Sequence, residues 1–266
     1  MNSSRTYPKF DLSTIPSGST IGLVAKRESG KSWICRDLIK NFSSYGYGAC
    51  VIICPTDREA GFYKELVPES YISYRFSENI LERIFQRQKA MIRKCKKYLK
   101  QGKRCDPRLL LIMDDCLADD GEWKKSVKMN EIFLNGRHIG ITFVITIQNP
   151  MGIGPSWRGN LDYTMLLKND NVSISKKLYD NYAGVFDNHK EFRNTYEALT
   201  KDYRVMVINN KKVHLPKEKK IGWYKANNHI PGGEKLFSKQ YNRYHELNYN
   251  KKWEIEEDIN KGMLLQ

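Results

Sequence analysis

The chain has 266 residues, 40% of them apolar, and its 45 lysines and arginines outnumber its 30 acids for a formal net charge of +15. That length and apolar content suit one α/β domain with attachments that buries a full core. The charge favours a polyanionic partner or substrate, and no apolar run approaches the roughly 18 residues a membrane helix needs, which argues against a membrane-anchored pump.

The first element is a strand over 19–25, and it ends in the most informative stretch of the chain. Ala25-Lys26-Arg27-Glu28-Ser29-Gly30-Lys31-Ser32 matches the phosphate-binding P-loop pattern, with alanine in the first glycine position. The order of residue types follows from the chemistry. Backbone N–H groups of such a loop, together with a helix start, form a concavity for a polyphosphate. Gly30 permits close approach, Lys31 reaches the β/γ-phosphates, and the Ser32 hydroxyl reaches Mg²⁺. Lys26 and Arg27 offer further cations to phosphate from within the loop. Ala25 is the departure, since its Cβ stands where the turn normally has none.

A helix follows over 30–43, with Ile34, Leu38, Ile39 and Phe42 at helical spacing. A strand is expected over 48–54 and a helix over 58–66. Cys50 and Cys54 fall on one face of that strand and read as core. None of the six cysteines (35, 50, 54, 95, 105, 116) forms a C-x-x-C pair, so reduced thiols in a reducing compartment are expected. The N-terminus carries no apolar leader segment. The five histidines show no metal-ligand spacing.

A long helix is expected over 78–100. Residues 83–108 hold eleven lysines and arginines and one acid, Asp106. Leu81, Ile84, Phe85, Met91, Ile92, Cys95, Tyr98 and Leu99 mark an apolar face, so the cations occupy the opposite, solvated one. Arg93, Lys94, Lys96, Lys97 and Lys100 read either as a soluble surface or as a face that tracks nucleic-acid phosphates without base readout.

The strand over 108–114 delivers Asp114 and Asp115 at its carboxyl end, where open α/β sheets place ligands. Asp114 fits the Mg²⁺ sphere of a Walker B aspartate, and Asp115 fits a base that activates water. The plainer reading is a pair of turn-forming aspartates. A helix over 122–136 leads to Arg137, which is either an arginine finger for a neighbouring subunit's nucleotide or simply a cation at a helix end. The strand over 140–147 closes on Gln148, a candidate sensor of the γ-phosphate or attacking water, or only a strand cap. A strand between the P-loop and Walker B strands separates translocase-type ATPases from small-molecule kinases. Arg158 competes with Arg137 as the finger. Strands over 161–167 and 203–209 flank a helix over 174–199 broken near Gly184.

These readings give an α/β P-loop NTPase with a mainly parallel sheet and helices on both faces. The expected organisation is an N-terminal extension over 1–18, a core over 19–210, and a basic, aromatic extension over 211–266. That extension contains the stretch from Lys211 to Lys220, a second candidate for tracking phosphates, and is read as an extension of the core or as a docking tail.

In combination, Ala-x-x-x-x-Gly-Lys-Ser, Leu-Ile-Met-Asp-Asp-Cys, Gly-Arg-His-Ile-Gly-Ile, Ile-Gln-Asn and Arg-Gly-Asn-Leu-Asp resemble the poxvirus-type DNA-packaging ATPases. That family occurs in nucleocytoplasmic large DNA viruses and virophages, within the FtsK–HerA superfamily. The likeness spans about 19–210. It implies a RecA-like core of the additional-strand (ASCE) type, Mg²⁺ and ATP, a homo-oligomeric ring of five or six subunits, and translocation of double-stranded viral DNA into a capsid. A capsid partner, no membrane, and a location in the virion and the cytoplasmic viral factory are implied with it. By the family pattern Lys31 and Ser32 bind nucleotide and magnesium, Asp114 and Asp115 form Walker B, Gln148 is the sensor, and Arg137 matches a finger position. The departures are Ala25 for glycine, Asp115 where FtsK-type proteins have glutamate, and Asn149 where many have arginine. A small-molecule or nucleotide kinase and a catalytically weak nucleotide-dependent scaffold remain as alternatives.

Overall fold

The computed structural model describes residues 6–116, 122–211, 213–227 and 235–250. In chain order the elements are β1 (Thr20–Val24), α1 (Lys31–Ser44), β2 (Ala49–Ile53), α2 (Asp57–Ala60), β3 (Ile72–Ser73), α3 (Glu78–Leu99), β4 (Leu109–Met113), α4 (Glu122–Lys125), α5 (Val127–Asn135), β5 (Ile141–Ile147), α6 (Pro155–Gly159), β6 (Tyr163–Leu167), α7 (Val172–Tyr182), α8 (His189–Leu199), β7 (Arg204–Asn209), α9 (Lys217–Lys220), β8 (Ile221–Lys225) and α10 (Lys239–Asn248).

The eight strands form one sheet in the order β3-β2-β4-β5-β1-β6-β7-β8. The first six run parallel, and β7 and β8 are antiparallel to their neighbours. Every residue of β1, β4, β5 and β6 is buried. Such strands need helices on both faces of the sheet, and their unbroken apolar runs follow from that. This is the P-loop NTPase fold of RecA-like type. Its decisive detail is β5, which lies between β1 and β4 and pairs with both, Leu23 opposite Thr146 on one side and Ile112 opposite Val144 on the other.

The expected helix over 58–66 shortens to α2. Gly61 takes a positive φ of 59° there, and the Asp57 carboxylate accepts the N–H groups of Phe62 (2.6 Å) and Tyr63 (3.3 Å), diverting the backbone from helix. The expected helix over 122–136 divides at Ser126, whose hydroxyl accepts the Met129 N–H at 3.1 Å and restarts the chain as α5. The break near Gly184 separates α7 from α8.

Two strands went unread in the sequence. β3 is only two residues long. β8 carries the sheet past residue 210, and α10 adds a helix to the β2 side through the Tyr241 hydroxyl, which donates to the Cys50 carbonyl at 2.7 Å, and a Tyr71–Tyr241 ring stack at 3.9 Å. Residues 251–266 of the C-terminal extension lie outside the described residues.

The expectation of six reduced thiols is corrected in part. Cys95 and Cys105 are joined as a disulfide, their Cα atoms 5.1 Å apart. Gly102, at φ 69°, reverses the chain after α3 and brings the two together, which their spacing in sequence does not reveal. Cys35, Cys50, Cys54 and Cys116 form no disulfide and are buried. Leu99, which the spacing places on the apolar face of α3, is instead 77% exposed, since the buried residues of α3 end at Gln88.

Candidate functional site

The site is built at the carboxyl ends of β1, β4 and β5. β1 ends at Val24, and Ala25 continues its pairing by donating to the Ile147 carbonyl at 2.9 Å. Ala25 is buried and is not among the described residues with positive φ. A Cβ therefore costs nothing at this position, and the alanine is compatible with the loop. The left-handed turns fall later, at Glu28 (φ 60°) and Gly30 (φ 92°). Ser29 steadies the loop by donating to the Lys26 carbonyl at 2.7 Å. Lys26, Arg27 and Glu28 point outward and are exposed. Gly30 forms the N-cap of α1 without a side-chain cap, so the first N–H groups of this 14-residue helix remain directed at the loop's concavity.

Lys31 and Ser32 open α1 and face β4. Lys31 Nζ lies 3.6 Å from Asp115 Oδ1, and the pair is nearly buried. The Ser32 hydroxyl donates to Asp114 Oδ2 at 3.0 Å. Residues 82 positions apart in the chain are thus joined as the P-loop and Walker B readings require.

Two further residues complete this network, and sequence reasoning missed both. Thr146, near the end of β5, donates from its hydroxyl to Asp114 Oδ1 at 2.7 Å and accepts the Asp115 N–H at 2.9 Å. Tyr63, in the loop after α2, donates its hydroxyl to Asp114 Oδ2 at 2.7 Å. Asp114 is 2% exposed and so exchanges water for three hydroxyl donors. Asp115 sits in the left-handed region at φ 57°, which an aspartate tolerates better than most residues and which turns its side chain from Asp114 toward Lys31. The signal for Thr146 was available as a hydroxyl inside the apolar run Ile145-Thr146-Ile147. Tyr63 carried no local signal.

Burial shapes the surroundings of Asp114. It pushes the Tyr63 phenol and the Cys35 thiol well above their ordinary ranges, with the nearby carboxylate adding to both shifts. The Cys54 thiol is raised to about 12 by the same two causes. Asp57 is raised by burial, partly offset by its two backbone N–H donors.

Gln148 follows β5 directly and lines a small cavity with Ala25, Lys26, Asn169 and Leu178, which places it beside the P-loop. Arg137 lies elsewhere, in a 3-10 turn over Gly136–Ile139 ahead of β5. A Cβ on Gly18 would meet Arg137 Cβ at 2.8 Å, so Arg137 stands at the amino-end rim of the sheet. The five residues of β1 separate that rim from the P-loop, about 17 Å of extended chain. Arg158, half-buried in α6, donates to the Ile153 carbonyl of its own loop. Arg93, Lys96, Lys97 and Lys100 are exposed on or just beyond the last turns of α3. Lys94 is half-buried and donates to Gln240 Oε1 of α10 at 3.1 Å.

The donor set around Ser32 fits Mg²⁺. Magnesium takes hard oxygen ligands, commonly one or two from protein with the rest from substrate phosphates and water. One hydroxyl and one buried carboxylate supply that, and among the described residues no cluster of three or more His, Cys, Asp or Glu side chains suggests a different metal.

Residues 13–235 match the family model described as Poxvirus A32 protein. An uncharacterized protein of Acanthamoeba polyphaga mimivirus is 39% identical over 244 residues, covering 91% of this chain and 85% of the relative. An uncharacterized protein of Invertebrate iridescent virus 3 is 31% identical over 216 residues, covering 80% and 78%. Among solved structures, the genome packaging NTPase B204 of Sulfolobus turreted icosahedral virus 2, in complex with AMPPCP, superposes with a TM-score of 0.54 at 14% identity, over 79% of this chain and 98% of that one. The pCW3 conjugation coupling protein TcpA, with ATPγS, gives 0.50 at 15% identity, over 90% and 66%. At these identities the structural matches speak for the fold.

Proposed function

The chain belongs to the poxvirus A32 protein family, and on that premise we propose that it is an ATP-hydrolysing motor that drives double-stranded viral DNA into a capsid. The observation that carries this reading is the joining of Lys31 to Asp115 and Ser32 to Asp114 across an inserted strand, β5. That insertion supports a translocase-type ATPase over the small-molecule kinase alternative. Relatives in large DNA viruses and the likeness to a genome packaging NTPase support the viral setting, in the virion and viral factory.

The loop's N–H groups and the start of α1 cradle the polyphosphate, and Lys31 takes the β/γ-phosphate oxygens. Ser32 and Asp114 would hold Mg²⁺, which would supply charge neutralisation to the phosphates. Asp115 accepts the proton of the attacking water. Its ion pair with Lys31 keeps the base and the γ-phosphate cation in mutual reach. Thr146 fixes the backbone of one aspartate and the side chain of the other, so both carboxylates are oriented before nucleotide arrives.

Gln148 positions the water or reports the γ-phosphate to β5. Lys26 and Arg27 add cation character at the loop mouth. Arg137, on the opposite rim from its own P-loop, serves the neighbouring subunit of a five- or six-membered ring, with Arg158 as the competing finger. The exposed cations of α3 follow DNA phosphates, and a capsid component docks the motor.

The test is release of inorganic phosphate from Mg·ATP with and without duplex DNA. DNA-stimulated hydrolysis is expected. Lys31→Ala loses nucleotide affinity. Asp115→Asn keeps it, since asparagine also accepts the left-handed backbone, but slows turnover by about 10²–10⁴-fold. A phosphorylated small-molecule product in place of free phosphate overturns the proposal.

A further inference from the structure

The turn between α8 and β7 holds Asp202 and Tyr203, consecutive non-glycine residues at φ 54° and 59°. The Arg204 N–H closes the turn on the Lys201 carbonyl at 3.0 Å. Turns with two left-handed residues ordinarily take Asn, Asp or Gly, and a tyrosine there stores strain. Packing does not compensate, because Tyr203 is 75% exposed.

Its ring nevertheless has a definite place. A Cβ built on Gly30 would stand 3.9 Å from Tyr203 Cδ1, which puts the phenol against the P-loop. Leu167 pairs with Val205, so the turn lies beyond the carboxyl end of β6, on the same rim as the P-loop. Arg204 braces the turn by stacking on Trp223 at 4.7 Å and standing 3.6 Å from Asp202.

The orientation of a bound nucleotide follows from the charged residues. Asp114 and Asp115 fix the magnesium and γ-phosphate pole on the β4–β5 side of β1. The rest of the nucleotide must then extend the other way, past Gly30 toward β6 and β7. Tyr203 stands on that path with its ring open to solvent.

We propose that Tyr203 is the base-stacking residue of this site, binding the purine of ATP on its ring face and keeping its strained backbone for that contact. The proposal rests on the nucleotide reading above and goes beyond it, because the P-loop and Walker B groups recognise only phosphate and metal. Stacking on an aromatic face favours a purine by area and polarisability without reading its edge.

The experiment compares calorimetric binding of Mg·ATP and Mg·tripolyphosphate to the full chain and to Tyr203→Phe and Tyr203→Gly. The wild-type protein should bind ATP more tightly than tripolyphosphate. Tyr203→Gly should weaken ATP on the order of tenfold and leave tripolyphosphate unchanged. Tyr203→Phe should retain ATP affinity. Glycine also relieves the backbone, so Tyr203→Gly without nucleotide should melt about 2–4 °C higher than wild type.

Unchanged ATP affinity in Tyr203→Gly overturns the proposal. Equal weakening of ATP and tripolyphosphate also overturns it, since the turn would then only support the loop. Wild-type protein that binds both ligands equally keeps the nucleotide site but removes the base contact. If wild-type protein binds neither, the nucleotide reading fails and takes this inference with it.

Discussion

Thr146→Val is the sharpest test of how the two aspartates are held. Valine reproduces the shape of threonine and keeps the β5 register, but it removes the hydroxyl that donates to Asp114 Oδ1 at 2.7 Å and accepts the Asp115 N–H at 2.9 Å. A hydrogen bond to a carboxylate contributes about 1.5–3 kcal/mol, and an orphaned buried N–H costs about 1–3 kcal/mol. The residue is 1% exposed, so water does not readily replace either partner. The two losses share one atom and will not add fully, which leaves roughly 2–5 kcal/mol. For a chain of this size that lowers the melting temperature by roughly 5–15 °C. Thermal unfolding read by circular dichroism measures it, with phosphate release recorded in parallel. Turnover should fall with stability, because Asp115 loses the anchor of its left-handed backbone. Thr146→Ser keeps the hydroxyl and should recover most of both. A Thr146→Val protein that melts within 2 °C of wild type and hydrolyses ATP normally refutes the argument that this hydroxyl orients the site.

Arg137→Ala should bind ATP yet hydrolyse it slowly, and mixing it with Lys31→Ala subunits should restore activity at mixed interfaces; full activity of Arg137→Ala alone moves the finger to Arg158. Reversing the charges of Arg93, Lys96, Lys97 and Lys100 should weaken duplex binding equally on unrelated sequences. Each lost phosphate contact should reduce the slope of log affinity against log salt by about 0.9, while basal hydrolysis survives. An unchanged slope leaves that end of α3 as solvated surface and directs attention to the stretch from Lys211 to Lys220. Burial raises the Cys54 thiol from 9.0 to about 12. Between those values the unfolded chain has lost a proton that the folded chain keeps, so stability falls as pH rises. The expected slope is up to about 1.4 kcal/mol per pH unit from this thiol. Cys54→Ala should flatten that alkaline limb in denaturant titrations, and an unaltered slope would show that Cys54 ionises freely in the folded protein.

The sequence by itself determined what depends on local order. Gly30-Lys31-Ser32 after an apolar strand, Asp114-Asp115 after another, and Gln148 after a third were all legible, because strand periodicity and loop chemistry are written in neighbouring residues. The helix over 58–66 and the length of α3's apolar face were misjudged for a related reason. A carboxylate at Asp57 competing for backbone N–H groups, or a helix whose buried face ends at Gln88, changes no residue pattern. The tertiary structure decided everything that joins distant residues. It closed Cys95 on Cys105, continued the sheet into β8, and carried the Tyr63 and Thr146 hydroxyls to Asp114. It also set Tyr203 against Gly30 from 173 positions away in the chain. Hydrogen bonds and ring contacts are satisfied in space, and residues far apart in sequence carry no mutual mark until the sheet order brings them together.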